Sequence, residues 1–396
     1  MLDTRTIEIV KSTLPLLENA GVEVTDHFYK RMFSHNPELK DIFNLANQAT
    51  GRQQFALFSA VAMYAKHIDD LSALGELVER VAHKHVSFDI QPDQYQIVGH
   101  HLIETLRELA PNEFTDEVAE AWVAAYGLLA KVLIGREQDI YSDYQNKTGG
   151  WNGPRLFEVK EKTPESELVT SFTFVPVDGG DIANYQPGQY LAVKVKPDQA
   201  ENIEIRQYSI SDKFNGESYR ISVKRESQPK AGLVSNYLHD TVQVGDQIEL
   251  MPPTGDFYLA HLDKPTVLIS AGVGITPMMA MLETLLTSQT SQPVWFLHAC
   301  ENKQQHSYAN QLKSQADQLD KLHYYYWYKQ DDMDDKNALS GLLQLDRLQF
   351  ELPLADGHFY ICGPVEFMRF VKQQLMDLAV PAEQIHYEVF GPHSDI

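Results

Sequence analysis

With 396 residues, 43% of them hydrophobic and 22% charged, the chain is long enough for two or three well-cored domains and is not of disordered composition. Its formal net charge of −22 repels nucleic acid and anionic lipid, so neither is expected as a partner. Only Cys300 and Cys362 are present, which excludes a disulfide framework or a CxxC metal motif and makes a reducing cytosol the default.

From Asp3 to about Tyr144 the pattern is helical, with apolar residues at three- and four-residue spacing from Leu45 to Tyr126. Pro92 and Pro111 fall beside breaks, and Asp93 and Asp116 read as helix-start residues. Six to eight helices in about 140 residues predict a globin-like packing or a simpler bundle. The opening Met1-Leu2-Asp3-Thr4-Arg5 lacks the pattern of a signal peptide, and no apolar run approaches the ~18 residues of a membrane span. A soluble, cytoplasmic protein without stable membrane insertion is expected, with a monomer as the default.

At Lys147-Thr148-Gly149-Gly150-Trp151-Asn152-Gly153-Pro154 the character changes. Strand-like alternation follows at Leu168–Phe174, Tyr190–Val195 and Tyr219–Lys224, punctuated by Gly and Pro, which predicts an antiparallel β-barrel. A third regime begins near His261, where apolar strands at Thr266–Ser270, Val294–His298 and His358–Cys362 alternate with helices. That alternation predicts a parallel, doubly wound α/β sheet. The expected domains are therefore residues 1–147, 150–260 and 261–396.

The sharpest local signal is Ile269-Ser270-Ala271-Gly272-Val273-Gly274-Ile275-Thr276-Pro277. A buried strand ends in a glycine turn and a helix is expected from about Pro277, a geometry that lets backbone approach a pyrophosphate. It is not the full GxGxxG, and an ordinary strand-to-helix turn reads the same way. Arg206-Gln207-Tyr208-Ser209 offers a phosphate clamp, a ring to cover a flavin face and a hydroxyl to bond it, or merely surface and packing residues. Gly232-Leu233-Val234-Ser235-Asn236-Tyr237-Leu238 supplies a second glycine-led helix start.

In the helical part, Leu77, Val81, His85 and Phe88 fall on one face, so His85 points inward while His83 faces outward. His85 is then either a satisfied core histidine or an iron ligand. Phe28, Tyr29, Met32 and Phe33 form an aromatic inward face; Gln53, Leu57, Val61 and Tyr64 form another. A buried tyrosine or glutamine needs a hydrogen-bond partner, although Gln53 in a first turn also reads as solvated. Within Gly135-Arg136-Glu137-Gln138-Asp139, Glu137 by itself reads as a surface acid.

Gly188-Gln189-Tyr190, the motif at 206–209, Gly232–Leu238, the motif at 272–277, Cys362-Gly363-Pro364 and the terminal Phe390-Gly391-Pro392 occur in the order found in the ferredoxin–NADP reductase superfamily, which residues 188–392 resemble. The resemblance implies that Arg206, Gln207, Tyr208 and Ser209 hold FAD. Tyr190, Gly232, Val234, Ser235 and the terminal Val389, Phe390, Gly391 and Pro392 assist. Gly272, Val273, Gly274, Ile275, Thr276 and Pro277 receive NAD(P)H, with Cys362 and Gly363 near the nicotinamide.

The full chain, through Phe28-Tyr29, Asn36-Pro37, Phe43, Gln53, Leu57, Lys84-His85, Tyr95 and Glu137, resembles the flavohaemoglobins, which act as nitric oxide dioxygenases. The resemblance implies a non-covalent haem b with His85 as its iron ligand. Tyr29, Gln53 and Leu57 would lie on the distal side, Phe43 and Lys84 along the haem, and Tyr95 and Glu137 behind His85. Hydrogen-bond acceptors behind a ligating imidazole raise its basicity, which suits oxygen activation better than storage. The implied reaction uses NAD(P)H through FAD to support conversion of nitric oxide and O2 to nitrate. A reductase whose helical domain docks a partner without haem, or a haem gas sensor, are the alternatives. Glu301 hints at NADH and Lys303 at a 2′-phosphate, leaving the dinucleotide open.

Overall fold

The computed structural model describes residues 2–18, 21–43, 52–228, 230–288, 291–330 and 337–391, with side chains in the fourth helix from residue 57 onward. The side chain of Gln53, and Pro392 altogether, lie outside the described residues. The chain separates into two compact units. One comprises Met1–Lys147, Trp151–Gly153 and Lys194–Arg206; the other comprises Thr148–Gly150, Pro154–Val193 and Gln207–Ile396.

The first unit is built of α1 (Thr4–Ser12), α2 (Leu14–Glu18), α3 (Val22–His35), α4 (Arg52–Lys66), α5 (Gly75–Ser87), α6 (Pro92–Leu109) and α7 (Asp116–Asn146). Val10, Phe28, Met32, Phe58, Leu102 and Trp122 meet in its core. The Trp122 indole N–H donates to Thr13 Oγ1 at 2.9 Å, which satisfies its polar edge inside that core. Helix starts differ slightly from the sequence expectation. Pro92 is the first residue of α6, and Gln91 caps it through a reciprocal box with Gln94, so Asp93 sits inside the first turn. Likewise Thr115, not Asp116, caps α7.

Helix α7 also corrects the expectation about apolar runs. It has 31 residues, and an 18-residue window of mean hydropathy 1.5 makes it long and apolar enough to cross a membrane. Its inward stripe packs within the helical unit, and that stripe includes the buried carboxylate of Glu137.

The barrel strands are β1 (Arg155–Pro164), β2 (Val169–Pro176), β3 (Tyr190–Val195), β4 (Glu204–Ser209), β5 (Tyr219–Lys224) and β6 (Gln247–Leu250), in the order β4-β3-β6-β1-β2-β5. An antiparallel bridge between Ile210 and Ile221, with Ser211 N–H donating to Arg220 O at 2.8 Å, joins the two edges and closes the sheet. Helix α8 (Leu233–Asp240) follows β5, with Gly232 as its N-cap.

The last region has β7 (Thr266–Ala271), α9 (Ile275–Thr287), β8 (Val294–Cys300), α10 (Ala309–Gln318), β9 (Leu322–Tyr328), β10 (Ala338–Ser340), β11 (His358–Cys362), α11 (Val365–Asp377) and β12 (Ile385–Glu388). The parallel order is β10-β9-β8-β7-β11-β12. Every residue of β7 is buried, because helices cover both faces of a parallel sheet. Leu268 packs in a cluster with Met278 and Phe296, whereas its neighbours Val267 and Ile269 pack oppositely with Trp327, Phe359 and Met368.

Candidate functional site

In the helical unit the chemistry gathers around His85, in the last turn of α5. Leu77, Val81, His85 and Phe88 are each half-buried, while the fully buried face of α5 is Ala82 and Val86. His83 is not free on the outside as its spacing predicts. Its side chain is only 15% exposed and lies 3.8 Å from Glu79, one turn earlier.

The His85 imidazole is held from behind. Nδ1 lies 2.7 Å from the Tyr95 hydroxyl and 2.8 Å from Glu137 Oε1, and the Tyr95 hydroxyl donates to the same carboxylate oxygen at 2.5 Å. Three helices supply the trio: α5 gives His85, α6 gives Tyr95 and α7 gives Glu137. Burial, reinforced by the charge of Glu137, pushes the Tyr95 pKa far up, so its proton stays on oxygen. With Tyr95 donating, the carboxylate accepts a second bond from Nδ1–H, which leaves the Nε2 lone pair as the coordinating atom. Glu137 is 3% exposed, so the surface-acid reading fails.

A second set lies on α3 and its surroundings. Tyr29 is 5% exposed and packs against Phe28 (ring centroids 5.0 Å apart), Phe33 (5.8 Å) and Phe43 (6.0 Å). Burial pushes its pKa up as well, and its hydroxyl makes no hydrogen bond among the described residues. Leu57 packs at the margin of the same core. By contrast, the Tyr64 hydroxyl is satisfied by Ala125 O at 2.7 Å, which makes it a structural tyrosine. A back-bonded imidazole with a free coordinating nitrogen, and a buried phenol whose hydroxyl has no partner among the described residues, fit a haem with a diatomic ligand. Lys84 is half-buried beside His85.

On β4, Arg206 pairs with Glu204 at 2.7 Å and donates to Ile205 O at 2.8 Å. Alternate strand residues share a face, so Glu204 was legible as this partner but was missed. The pair pre-orients the guanidinium. Ser209 is buried and Gln207 and Tyr208 are half-buried, while Tyr190 exchanges backbone hydrogen bonds with Thr254. At the start of α8 a Cβ on Gly232 would fall 2.5 Å from Ser235 Oγ, so that hydroxyl would have to move to admit a side chain. Val234 and Ser235 are buried behind it.

The turn after β7 is a short 3-10 segment, Gly272–Gly274, and α9 begins at Ile275. Pro277 is thus the third helical residue, still within the first turn where an amide proton would have no intrahelical acceptor. A Cβ on Gly274 would lie 2.3 Å from Cys362 O and 2.6 Å from Gly363 N, so the turn before α9 and the end of β11 approach there through bare backbone. Val273, Ile275 and Thr276 complete the turn, and Thr276 Oγ1 donates to Val273 O at 3.0 Å. Cys362 is fully buried, and burial pushes its thiol well up, so it packs as a neutral group rather than a nucleophile. Val389 is partly buried, Phe390 is 45% exposed, and Gly391 has φ 134°.

A back-bonded histidine in a globin-like helical unit, joined to a flavin-type barrel and a dinucleotide-type sheet, defines a haem–flavin oxidoreductase. The globin family matches residues 26–133, an oxidoreductase FAD-binding domain 156–258 and an oxidoreductase NAD-binding domain 268–373. Over 401 aligned residues, with both chains fully covered, the sequence is 53% identical to the flavohemoprotein of Vibrio cholerae. The chain belongs to the flavohaemoprotein family, and its cofactors are haem, FAD and NAD(P)H.

Among solved structures, flavohemoglobin from Malassezia yamatoensis, with bound FAD and heme, superposes with TM-score 0.87 at 26% identity, covering 98% of this chain and 100% of that one. The FAD/NAD-binding domain of nitric oxide dioxygenase from Vibrio cholerae O1 matches 60% of this chain and 99% of its own, with TM-score 0.57 and 47% identity.

Proposed function

We propose that the protein is an NAD(P)H- and O2-dependent nitric oxide dioxygenase that yields nitrate. The observation that carries this reading is the hydrogen-bonded trio of His85, Tyr95 and Glu137 on the same chain as a complete reductase. A carrier or sensor of O2 has no need of hydride input. When bound, the haem supplies the iron at which O2 and nitric oxide combine, and FAD splits the hydride pair of NAD(P)H into single electrons.

The chain's own residues do the rest. Glu137 accepts a hydrogen bond from Nδ1–H of His85 and so makes Nε2 the more basic, electron-donating atom. Tyr95 keeps its own proton and spends it on the carboxylate, which fixes the rotamer of both partners. Tyr29 would offer a neutral hydroxyl, from inside an apolar aromatic wall, to a ligand bound by the haem. We assign Gln53, Leu57, Phe43 and Lys84 to the same site by resemblance. Arg206 and the Gly232–Ser235 turn bind the flavin pyrophosphate by charge and helix N-terminus. Tyr208 and Ser209 orient the ring. The 272–277 turn and the N-terminus of α9 receive the dinucleotide, beside Gly363. Cys300 and Cys362 form no disulfide, which fits a reducing cytoplasm.

The test is aerobic consumption of nitric oxide by the purified holoprotein with NAD(P)H, and nitrate as product. Replacing His85 with Ala should abolish both the Soret band and the consumption. Full activity in that variant would overturn the assignment.

A further inference from the structure

The loop leaving β8, residues 301–308, starts at the carboxyl end of a parallel strand, the edge at which open α/β sheets bind dinucleotides. This loop is fastened to the barrel. Glu167 N–H donates to Gln304 O at 3.0 Å, Gln305 Nε2 to Glu167 Oε1 at 2.8 Å and Ser307 Oγ to Ser166 Oγ at 3.0 Å. The loop ends at Tyr308, which is 4% exposed and holds a left-handed backbone, φ 60° and ψ 12°. A bulky side chain in that region persists only where its surroundings over-determine it.

The side chain shows what over-determines it. The Tyr308 hydroxyl meets Ser171 Oγ of β2 at 3.2 Å and, more closely, Ser222 Oγ of β5. Ser222 in turn contacts Ser171 at 2.8 Å and Ser211 at 2.7 Å, while Ser171 donates to Glu165 Oε1 at 2.6 Å. The Arg220 guanidinium lies 5.6 Å above the Tyr308 ring. Tyr308 is the N-cap of α10, yet its side chain makes no cap hydrogen bond, because its hydroxyl is committed to the barrel. On the far side, β5 runs to Glu226, whose carbonyl accepts from Gly232 N–H at 2.8 Å. One buried phenol therefore ties the loop at the dinucleotide edge to the strand that leads into the flavin turn.

We propose that Tyr308 is a positioning residue for hydride transfer, clamping the dinucleotide loop to the flavin barrel through Ser171 and Ser222. In that transfer a hydride, one proton with two electrons, leaves the dihydronicotinamide for the flavin, so the nicotinamide is oxidised and the flavin reduced. The clamp touches neither ring. It fixes the approach of donor and acceptor, to which such rates are steeply sensitive. The proposal rests on the flavin and dinucleotide sites and is independent of nitric oxide as substrate.

The experiment compares the full holoenzyme with Tyr308→Phe and Ser222→Ala. It follows anaerobic flavin reduction by NADH in a stopped-flow instrument, with protio and 4-deuterio NADH, and amide exchange of residues 301–308 without dinucleotide. Each variant should slow flavin reduction about tenfold while leaving NADH affinity within about threefold, with faster exchange in the loop. The two substitutions share the Tyr308–Ser222 contact, so the double variant should lose less than the sum of the two single losses. A wild-type reduction rate in both variants, or loss confined to NADH affinity, would overturn the clamp. So would faster exchange with no change in rate. Nitric oxide consumption is not the readout, so failure of the clamp and failure of the dioxygenase assignment stay distinguishable.

Discussion

Glu137 shows how a residue can be hidden by its neighbours in sequence. It stands among Gly135, Arg136, Gln138 and Asp139, yet α7 turns it inward with Ala130, Leu133, Ile140 and Tyr144, a three-four alternation that marks one helix face. That stripe was legible. The polar flanks obscured it, because Arg136 forms its own half-buried pair with Glu79 at 2.6 Å. His85 was legible for the converse reason, being the odd polar member of an apolar stripe. No periodicity could show that Tyr95 and Glu137 converge on one nitrogen, since they come from different helices. Glu137→Gln keeps the shape and removes the charge. It should retain the Soret band, lower nitric oxide turnover about 10- to 100-fold and lower the iron–imidazole stretching frequency in resonance Raman spectra. Tyr95→Phe leaves the His85–Glu137 bond in place and should cost less. The opposite ranking would show that the carboxylate is not the source of the effect. Tyr29→Phe should leave the protein folded and speed O2 dissociation by about tenfold, read by flash photolysis, because one hydrogen-bond donor is lost.

At the scale of elements, the glycine turns carry the reductase. Strand ends were read from the sequence to within a residue or two where apolar runs meet Gly or Pro, as at β3, β5 and β11. Helix starts were read less well, because Thr115, Gln91 and the 3-10 turn before Ile275 depend on cap geometry that composition does not fix. The closest backbone approach, Gly274 against Cys362 and Gly363, has no signature beyond the glycine itself. Adding a methyl group there would force the turn before α9 away from the end of β11. Gly274→Ala should cost about 1–3 kcal/mol of stability by overpacking. It should also weaken NADH binding at least about tenfold by spoiling the helix N-terminus, while the haem spectrum stays that of the parent. An NADH titration of flavin absorbance checks it, and unchanged affinity would place the dinucleotide elsewhere. In the helical unit, Thr13→Val leaves the Trp122 indole N–H buried without its acceptor. A loss of about 1–3 kcal/mol is expected from urea unfolding followed by the Soret band.

At the scale of the whole molecule, buried neutral histidines set how the protein meets acid. His298 is fully buried with Nδ1 2.9 Å from Ser270 Oγ, and its Nε2 has no partner among the described residues. His306 is held between Tyr328 and Tyr324, each hydroxyl 2.8 Å from a ring nitrogen. Burial lowers the His306 pKa to about 4 and drives that of His298 well below its ordinary value, with His306 adding to the shift. Between the unfolded value of 6.5 and the folded value of about 4, the unfolded chain binds more protons than the native one, so stability rises with pH. The contribution is complete at neutral pH and is lost as pH falls from 6.5 through about 4. For His306 alone it amounts to about 3 kcal/mol at full extent. Two ion-paired carboxylates act in the same direction but at lower pH. Glu79, hydrogen-bonded by Arg136, and Asp178, hydrogen-bonded by Arg155, are held below their ordinary values of 4.5 and 3.8, so their contribution starts to be lost only near those values, below the pH at which the histidine contribution begins to fall. The interval from pH 6.5 down to 5 therefore reports the histidines. Urea midpoints followed by flavin fluorescence should fall steadily across it. His306→Gln, which keeps a hydrogen-bonding side chain but cannot titrate, should flatten part of the slope while lowering stability at pH 7. A midpoint that stays level from pH 7 to 5 would mean that these imidazoles are not neutral and buried in the folded protein.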